Sequence, residues 1–253
     1  MKFLFKTILK YYLKYITKLV LAIHRPTIIA ISGSSNKTFI REEIKKILTE
    51  QGKTVRANPK NFNTEIGLPL AILNIKSGYN SYRAWLPVIL SAFLSIFQKN
   101  FPHYLVLELG VSKKNDMRYL LSIVSPKISI ISEITQRYLE SFSGMDSMVR
   151  EYKYLVSHTN KNGLVILSYD NARVRNLAKK AKARVEYFGL INNQMGWKIE
   201  DIVKTEKGQK FTLDHNGKKE MVFVNRFGEH HCYAFTVGKI LKNLLANTKN
   251  KED

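Results

Sequence analysis

The sequence has a single cysteine, Cys232, among its 253 residues. A disulfide framework is therefore excluded, and a reducing compartment such as the cytoplasm is the expected location. The chain also lacks any run of eighteen uncharged apolar residues, which argues against a membrane-spanning helix. Hydrophobic residues make up 45% of the chain and charged residues 24%, a composition that excludes a disordered protein and is typical of a globular domain.

Acidic residues are also scarce. The chain has 20 Asp and Glu against 41 Lys and Arg, so its formal net charge is +21. A charge of this size bears on partners and not on the fold, and the partner classes are phosphates, nucleic acid and an anionic membrane surface. Nucleic acid is the partner that the sequence favours least, because net charge alone suggests it.

The N-terminal segment has no acidic residue before Glu42, and lysine recurs at every fourth position from Lys2 to Lys18. At 100° per residue, such lysines form one slowly winding stripe on a helix, and apolar residues cover most of the remaining surface. The pattern predicts a basic amphipathic helix over residues 1–25. Two alternatives stay open for residues 1–24: an anionic membrane surface, peripheral at the inner membrane, or packing of the apolar side on the following domain.

The rest of the chain alternates between apolar segments of strand length and of helix length. This alternation predicts an α/β fold, a mainly parallel sheet flanked by helices, as one domain over residues 26–246 with a polar tail at 247–253. Asn216-Gly217 predicts the turn of a C-terminal β-hairpin. The segment at 82–97, YRAWLPVILSAFLSIF, is so apolar that we expect a largely buried helix.

A phosphate-binding loop is predicted between the first strand, TIIAIS, and the helix that follows it. Such a loop presents backbone N–H groups and a helix N-terminus to phosphates, a lysine to the terminal phosphates and a hydroxyl to Mg²⁺. Asn36 stands where glycine usually precedes the lysine, and asparagine tolerates positive φ well. An ordinary serine-rich helix cap is the alternative. The residues concerned are Gly33, Ser34, Ser35, Asn36, Lys37 and Thr38.

Six segments together resemble the central ATP-binding domain of the Mur ligases, in order and in spacing, over roughly residues 25 to 245. They are RPTIIAISGSSNKT, NPKNFNTEIGLPLAIL, LVLELG, ISIISEITQRYLESF, GLVILSYDNARV and GEHHCYAF. The resemblance implies a P-loop NTPase-like fold, the cofactors ATP and Mg²⁺, and a role in peptidoglycan precursor synthesis. In that family ATP phosphorylates a carboxylate, and an amine then attacks the acyl phosphate.

The resemblance also implies roles for individual residues. Lys37 would contact the β- and γ-phosphates as the catalytic lysine, and Thr38 would hold the first Mg²⁺. Glu108 matches the family's metal-binding glutamate, a hard oxygen ligand of the kind that Mg²⁺ prefers. His230 would lie near the adenine pocket.

The sequence departs from the family at positions that carry chemistry. Tyr138 stands where the family has a histidine that binds the second Mg²⁺, and tyrosine, with a pKa near 10, is a poor ligand for Mg²⁺ at neutral pH. Tyr152 replaces the family's carbamylated lysine, and Ala234 replaces an asparagine of the adenine pocket. Glu133 and Thr135 replace an asparagine and a glycine beside position 138.

Two domains of the Mur ligases have no counterpart in the sequence: an N-terminal domain that binds the UDP-sugar and a C-terminal domain that brings in the amine. We therefore expect a degenerate domain that is not a competent ligase alone, and that acts in binding or regulation or is completed by a partner chain. One alternative is an active ATP-dependent ligase that uses the domains of a partner. The other is a basic nucleic-acid-binding protein that reuses the fold.

Overall fold

A computed structural model describes residues 3–79, 81–191 and 196–249. The described part of the chain forms a nine-stranded sheet flanked by helices, which confirms the predicted α/β class. Residues 1–2 of the predicted N-terminal helix and residues 250–253 of the predicted tail lie outside the described residues.

The helices are α1 (Phe3–His24), α2 (Lys37–Glu50), α3 (Gly67–Leu73), α4 (Tyr82–Leu94), α5 (Asp116–Leu121), α6 (Met145–His158), α7 (Ala172–Leu177) and α8 (Glu229–Lys249). The strands are β1 (Thr27–Ser32), β2 (Val55–Ala57), β3 (Tyr104–Glu108), β4 (Ile128–Ile131), β5 (Leu164–Ser168), β6 (Arg184–Gly189), β7 (Trp197–Thr205), β8 (Gly208–His215) and β9 (Lys218–Val224). Short 3₁₀ turns occupy Ser95–Phe97, Leu139–Ser141 and Ala178–Lys180.

The strand order is β2-β3-β1-β4-β5-β6-β7-β8-β9, and the neighbours from β2 to β7 are parallel. From β1 the chain goes to one side of the sheet to form β2 and β3, and it then crosses back to form β4 on the other side. The carboxyl end of β1 is therefore a topological switch point, where ligands of open α/β sheets bind. The predicted phosphate loop lies at this point.

The sheet is buried on both faces, as β1 shows. Ile29 and Ile31 face the layer of α2 and α8, while Ile28 and Ala30 face the opposite layer, which contains α3, α5, α6 and α7. Successive residues of a strand point to opposite faces, so a strand covered on both sides reads as a continuous apolar run. This arrangement fixes α2, and with it the loop at its N-terminus.

The C-terminal part of the sheet confirms the predicted hairpin and adds a strand to it. Asn216 and Gly217 have φ values of 54° and 78° and connect β8 to β9, which pair in antiparallel fashion. The preceding β7 also pairs with β8, so the described unit is a three-stranded meander.

The predicted burial of residues 82–97 is wrong. Trp85, Val88 and Ala92 are buried, but Leu86 is 68% exposed and Leu90 is 60% exposed. The reason is that the described residues pack against one side of α4 only. No helix of the described residues is both long enough and apolar enough to cross a bilayer.

Candidate phosphate-binding site

The loop between β1 and α2 contains two residues with positive φ. Asn36 precedes α2 in the left-handed region, with φ 61° and ψ −3°, a conformation that asparagine accepts. Gly33 has φ 138°, and a Cβ built there would lie 2.2 Å from the Ser132 hydroxyl oxygen. The loop therefore curls tightly and presents the N-terminus of α2 to the carboxyl edge of the sheet.

We expect Gly33→Ala to lower the free energy of unfolding by about 2–4 kcal/mol, because it adds both backbone strain and overlap with Ser132. The matched control is Gly52→Ala, since Gly52 also has positive φ, at 71°, but has no atom near its Cβ position. The free energy of unfolding of this control should fall by only about 1 kcal/mol, because of the strained φ alone. Urea denaturation of both variants is the measurement, and equal losses would contradict a tightly packed loop.

The segment that follows β4 packs against the loop. The Ser34 N–H donates to the Glu133 carbonyl at 2.8 Å, and the Ser34 hydroxyl accepts from the Thr135 N–H at 2.9 Å. The Arg137 guanidinium donates to the Ser34 carbonyl at 3.3 Å. The two departures from the family pattern at positions 133 and 135 thus lie directly against the phosphate loop.

Two polar groups of the loop remain available to a ligand. The Ser35 hydroxyl oxygen is buried and has no hydrogen-bond partner among the described residues. The Lys37 ammonium donates to the Gly33 carbonyl at 2.6 Å, a bond within the loop that a phosphate oxygen can replace. Since a buried polar group without a partner is costly, the Ser35 hydroxyl indicates a place for an acceptor.

The loop opens on a cavity of about 220 Å³. Lys37, Lys60 and Arg137 contribute positive charge to its lining, and Glu108 contributes negative charge. Burial lowers the pKa of the Lys37 ammonium, Glu108 opposes this shift, and Arg137 adds to it. Burial also raises the pKa of Glu133, with Lys37 opposing. An anion in the cavity would stabilise the charged form of Lys37.

Glu108 forms a buried ion pair that sequence analysis missed. The carboxylate lies at the end of β3 and is 5% exposed, and the Arg41 guanidinium lies 2.8 Å from it. The Asn58 side chain makes two hydrogen bonds to the Glu108 backbone. Its oxygen accepts from the Glu108 N–H at 2.9 Å, and its nitrogen donates to the Glu108 carbonyl at 3.1 Å. The only signal for Arg41 was its position one helical turn after Lys37 on α2.

The geometry of the Arg41–Glu108 pair determines how Glu108 could bind Mg²⁺. The Arg41 Nη1 and Glu108 Oε1 atoms lie 2.8 Å apart as an ion pair. The Glu108 carboxylate and the Thr38 hydroxyl line the same cavity, and oxygen ligands of this kind suit one hard cation, whose ligand would already be partly neutralised by arginine.

Tyr138 and Tyr152 are the two tyrosines that the sequence predicts at the positions of the family's second-metal residues. Tyr138 lines the cavity with φ 65°, and the Arg137 guanidinium stacks 5.2 Å from its ring centroid. Tyr152 is buried beneath the loop, and burial raises its pKa to about 12, with the Ser34 side chain partly opposing. In the described part of the chain no group of three or more His, Cys, Asp or Glu is placed to hold a metal ion.

The residues predicted near adenine lie on α8. The His230 ring packs on the Phe39 ring of α2 at 4.1 Å between centroids, and Ala234 is buried. A smaller cavity of about 90 Å³ lies between Asn36 and Tyr233. The structure thus brings Ser34–Thr38, Glu108 and Tyr138 together around one cavity, and it places His230 against Phe39, which lines that cavity too.

The arrangement fits the phosphates of ATP, by the free Ser35 hydroxyl and the cationic lining, and it fits one Mg²⁺ at Glu108 and Thr38. It does not fit a second Mg²⁺, because the residues at positions 138 and 152 offer no ligand that is anionic or imidazole. These assignments of individual residues stay predictions.

Comparison with known proteins gives the same family. The model of the Mur ligase middle domain matches residues 87–238. The UDP-N-acetylmuramoyl-tripeptide–D-alanyl-D-alanine ligase of Haemophilus influenzae is 24% identical over 227 residues, which cover 88% of this chain and 42% of the relative. The chain therefore spans less than half the length of that relative.

Solved structures show the same fold. MurF from Thermotoga maritima in complex with ADP has a TM-score of 0.75 at 17% identity, covering 94% of this chain and 49% of that one. MurF from Acinetobacter baumannii has a TM-score of 0.72 at 21% identity, covering 94% and 46%. The family model spans more than half of the 253 residues, and the chain belongs to the Mur ligase middle-domain family.

Proposed function

We propose that this Mur ligase middle domain binds the phosphates of ATP but does not, by itself, carry out the ligase reaction. The observation that carries the proposal is the composition of the cavity at the loop. Lys37, Lys60 and Arg137 line it, its one carboxylate is paired with Arg41, and a tyrosine stands at position 138. Phosphate binding needs the cations, whereas phosphoryl transfer in this family also needs two metal ions.

Several groups of the loop, together with Arg137, would bind the phosphates. The Lys37 ammonium turns from the Gly33 carbonyl to the phosphates, the Ser35 hydroxyl donates to an oxygen, and the N–H groups at the start of α2 face the same anion. Arg137 is held beside the loop by the Ser34 carbonyl and adds a fixed positive charge. Bound ATP would supply the phosphoryl group for activation of a carboxylate.

The role in the cell follows from the family. The relatives are named as ligases that join D-alanyl-D-alanine to a UDP-N-acetylmuramoyl-tripeptide. For this chain the tyrosine at position 138 and the paired carboxylate support a binding or regulatory module of peptidoglycan precursor synthesis, or a module that a partner chain completes.

The test combines binding with catalysis. Calorimetric titration of the chain with ATP and Mg²⁺ should show saturable binding, and phosphate release should not rise when the tripeptide substrate and D-alanyl-D-alanine are added. Absence of ATP binding would contradict the phosphate site. Substrate-dependent phosphate release by the chain alone would contradict the loss of catalysis, and release only with an added partner chain would establish the partner-completed ligase.

A further inference from the structure

Helices α1 and α4 lie side by side on the outside of the domain. The rings of Phe5 and Tyr82 meet edge to face at 5.1 Å, and the Tyr12 hydroxyl donates to the Ile89 carbonyl at 2.8 Å. The two contacts are seven residues apart on each helix, so the helices run parallel. Beneath them, buried residues of both helices share one apolar cluster with α3.

The outer faces of both helices carry apolar stripes, and none of the residues that the structure describes covers them. On α1, Leu4, Ile8 and Tyr15 are 60–69% exposed, at spacings that place them on one stripe. On α4 and the 3₁₀ turn after it, Leu86, Leu90 and Phe97 are 60–69% exposed. Single exposed apolar residues are ordinary, but adjacent stripes on two packed helices form a continuous patch of the kind that marks an interaction surface.

The patch has a border of lysines, and Lys6 on the same helix pairs with Glu65 at 3.9 Å. Lys10, Lys14 and Lys18 follow α1 on its side away from α4, where the first two lie 4.0 and 5.2 Å from the ring centroid of Tyr119 on α5. Neither α1 nor α4 contains an acidic residue. An apolar strip bordered by lysines is the pattern of a helix that lies flat in a membrane interface.

We propose that α1 and the α4 region, residues 3–24 and 82–97, form one surface that docks on an anionic lipid bilayer. The apolar side chains of both helices enter the boundary between headgroups and acyl chains, and the lysines contact lipid phosphates. Each lysine near such a surface adds to the affinity, and the two apolar stripes supply the second signal that stable attachment needs. The inference does not depend on ATP binding.

Charge favours the bilayer over a second copy of this chain. A second copy of the chain would bring another net charge of +21 against the same lysine border. An anionic bilayer combines an apolar interior with a dense layer of negative charge, which complements both features of the patch at once.

The test uses the full chain and sedimentation with vesicles of phosphatidylcholine, with or without phosphatidylglycerol. Binding should require phosphatidylglycerol and should weaken with salt. Leu90→Glu should reduce it about tenfold or more, because it places a charge in the apolar strip. Changing Lys10, Lys14 and Lys18 together to glutamine should reduce it about a hundredfold.

Met221→Glu is the matched control, since Met221 is 77% exposed on β9, outside the patch. It should bind vesicles as the parent chain does. Circular dichroism checks that each variant is folded, because Lys10 and Lys14 are half-buried against Tyr119, whereas Lys18, Leu90 and Met221 are exposed. Equal binding by the Leu90 and Met221 variants, or no binding to anionic vesicles by the parent chain, would overturn the proposal. A dimer that Leu90→Glu dissociates, without vesicle binding, would assign the patch to a second copy instead.

Discussion

Replacing Lys37 with alanine is expected to weaken ATP binding by roughly 10- to 100-fold, the value of one hydrogen bond from a charged donor. The ammonium group lies in the cavity at the loop, and its present partner is the carbonyl of Gly33, four residues earlier. A phosphate oxygen replaces a neutral acceptor with a charged one, so the ligand gains more than the loop loses. Calorimetric titration with ATP and with ADP, in the presence of Mg²⁺, measures the change.

Lys45→Ala is the matched control, because it removes the same charge from an exposed position on the same helix. A long-range effect of net charge would weaken binding equally in both variants, whereas a direct contact would appear only at position 37. Unchanged affinity in Lys37→Ala would contradict the phosphate-loop assignment.

The pH dependence of binding gives an independent readout of the same contact. Burial lowers the pKa of Lys37 in the free chain, and a bound phosphate raises the pKa again by favouring the ammonium form. The affinity should therefore be constant while free Lys37 is protonated, and it should fall as the pH rises through that lowered pKa. Lys37→Ala should remove this fall in affinity. Identical pH profiles in the parent chain and in this variant would contradict a direct contact between Lys37 and the phosphate.

The sequence predicted the parts of the fold that depend on local patterns. The run TIIAIS could be identified as a central strand because both of its faces are apolar, and Asn216-Gly217 identified a turn because few dipeptides accept two positive φ values. The phosphate loop was predictable for a similar reason, since its glycine and asparagine occupy positions with positive φ.

The parts that sequence analysis missed depend on non-local features. Strand β7 contains an irregularity between Glu200 and Val203, with Asp201 at φ 52°, which breaks the alternation that identifies a half-buried strand. The apolarity of α4 indicated burial, but composition does not show how many sides of a helix are covered. The Arg41–Glu108 pair joins two residues that are distant in the chain, so no local sequence pattern predicts it.

Replacing Arg41 with methionine is expected to lower the free energy of unfolding by about 3–5 kcal/mol, because it removes the closest counter-charge of the Glu108 carboxylate. Arg41 and Glu108 are both buried, at 6% and 5% exposure, so solvent screens their interaction little. Adding Glu108→Gln to this variant removes the uncompensated charge and should restore most of the loss. Urea denaturation of the two single variants and the double variant gives the coupling energy.

Glu42→Gln separates the buried pair from the surface pair of the same arginine. The Arg41 Nε atom also donates to Glu42 at 3.0 Å, but the Glu42 side chain is 56% exposed, so its removal should cost less than about 1 kcal/mol. Equal effects of removing Glu42 and Arg41 would contradict a buried pair.

The Arg41–Glu108 pair also limits the affinity of Glu108 for Mg²⁺, since the guanidinium already neutralises part of the carboxylate charge. Suppose that Arg41→Met keeps its stability and that its ATP affinity depends strongly on Mg²⁺. Glu108 would then be a free metal ligand, and the proposed loss of metal binding would depend only on the second Mg²⁺ site.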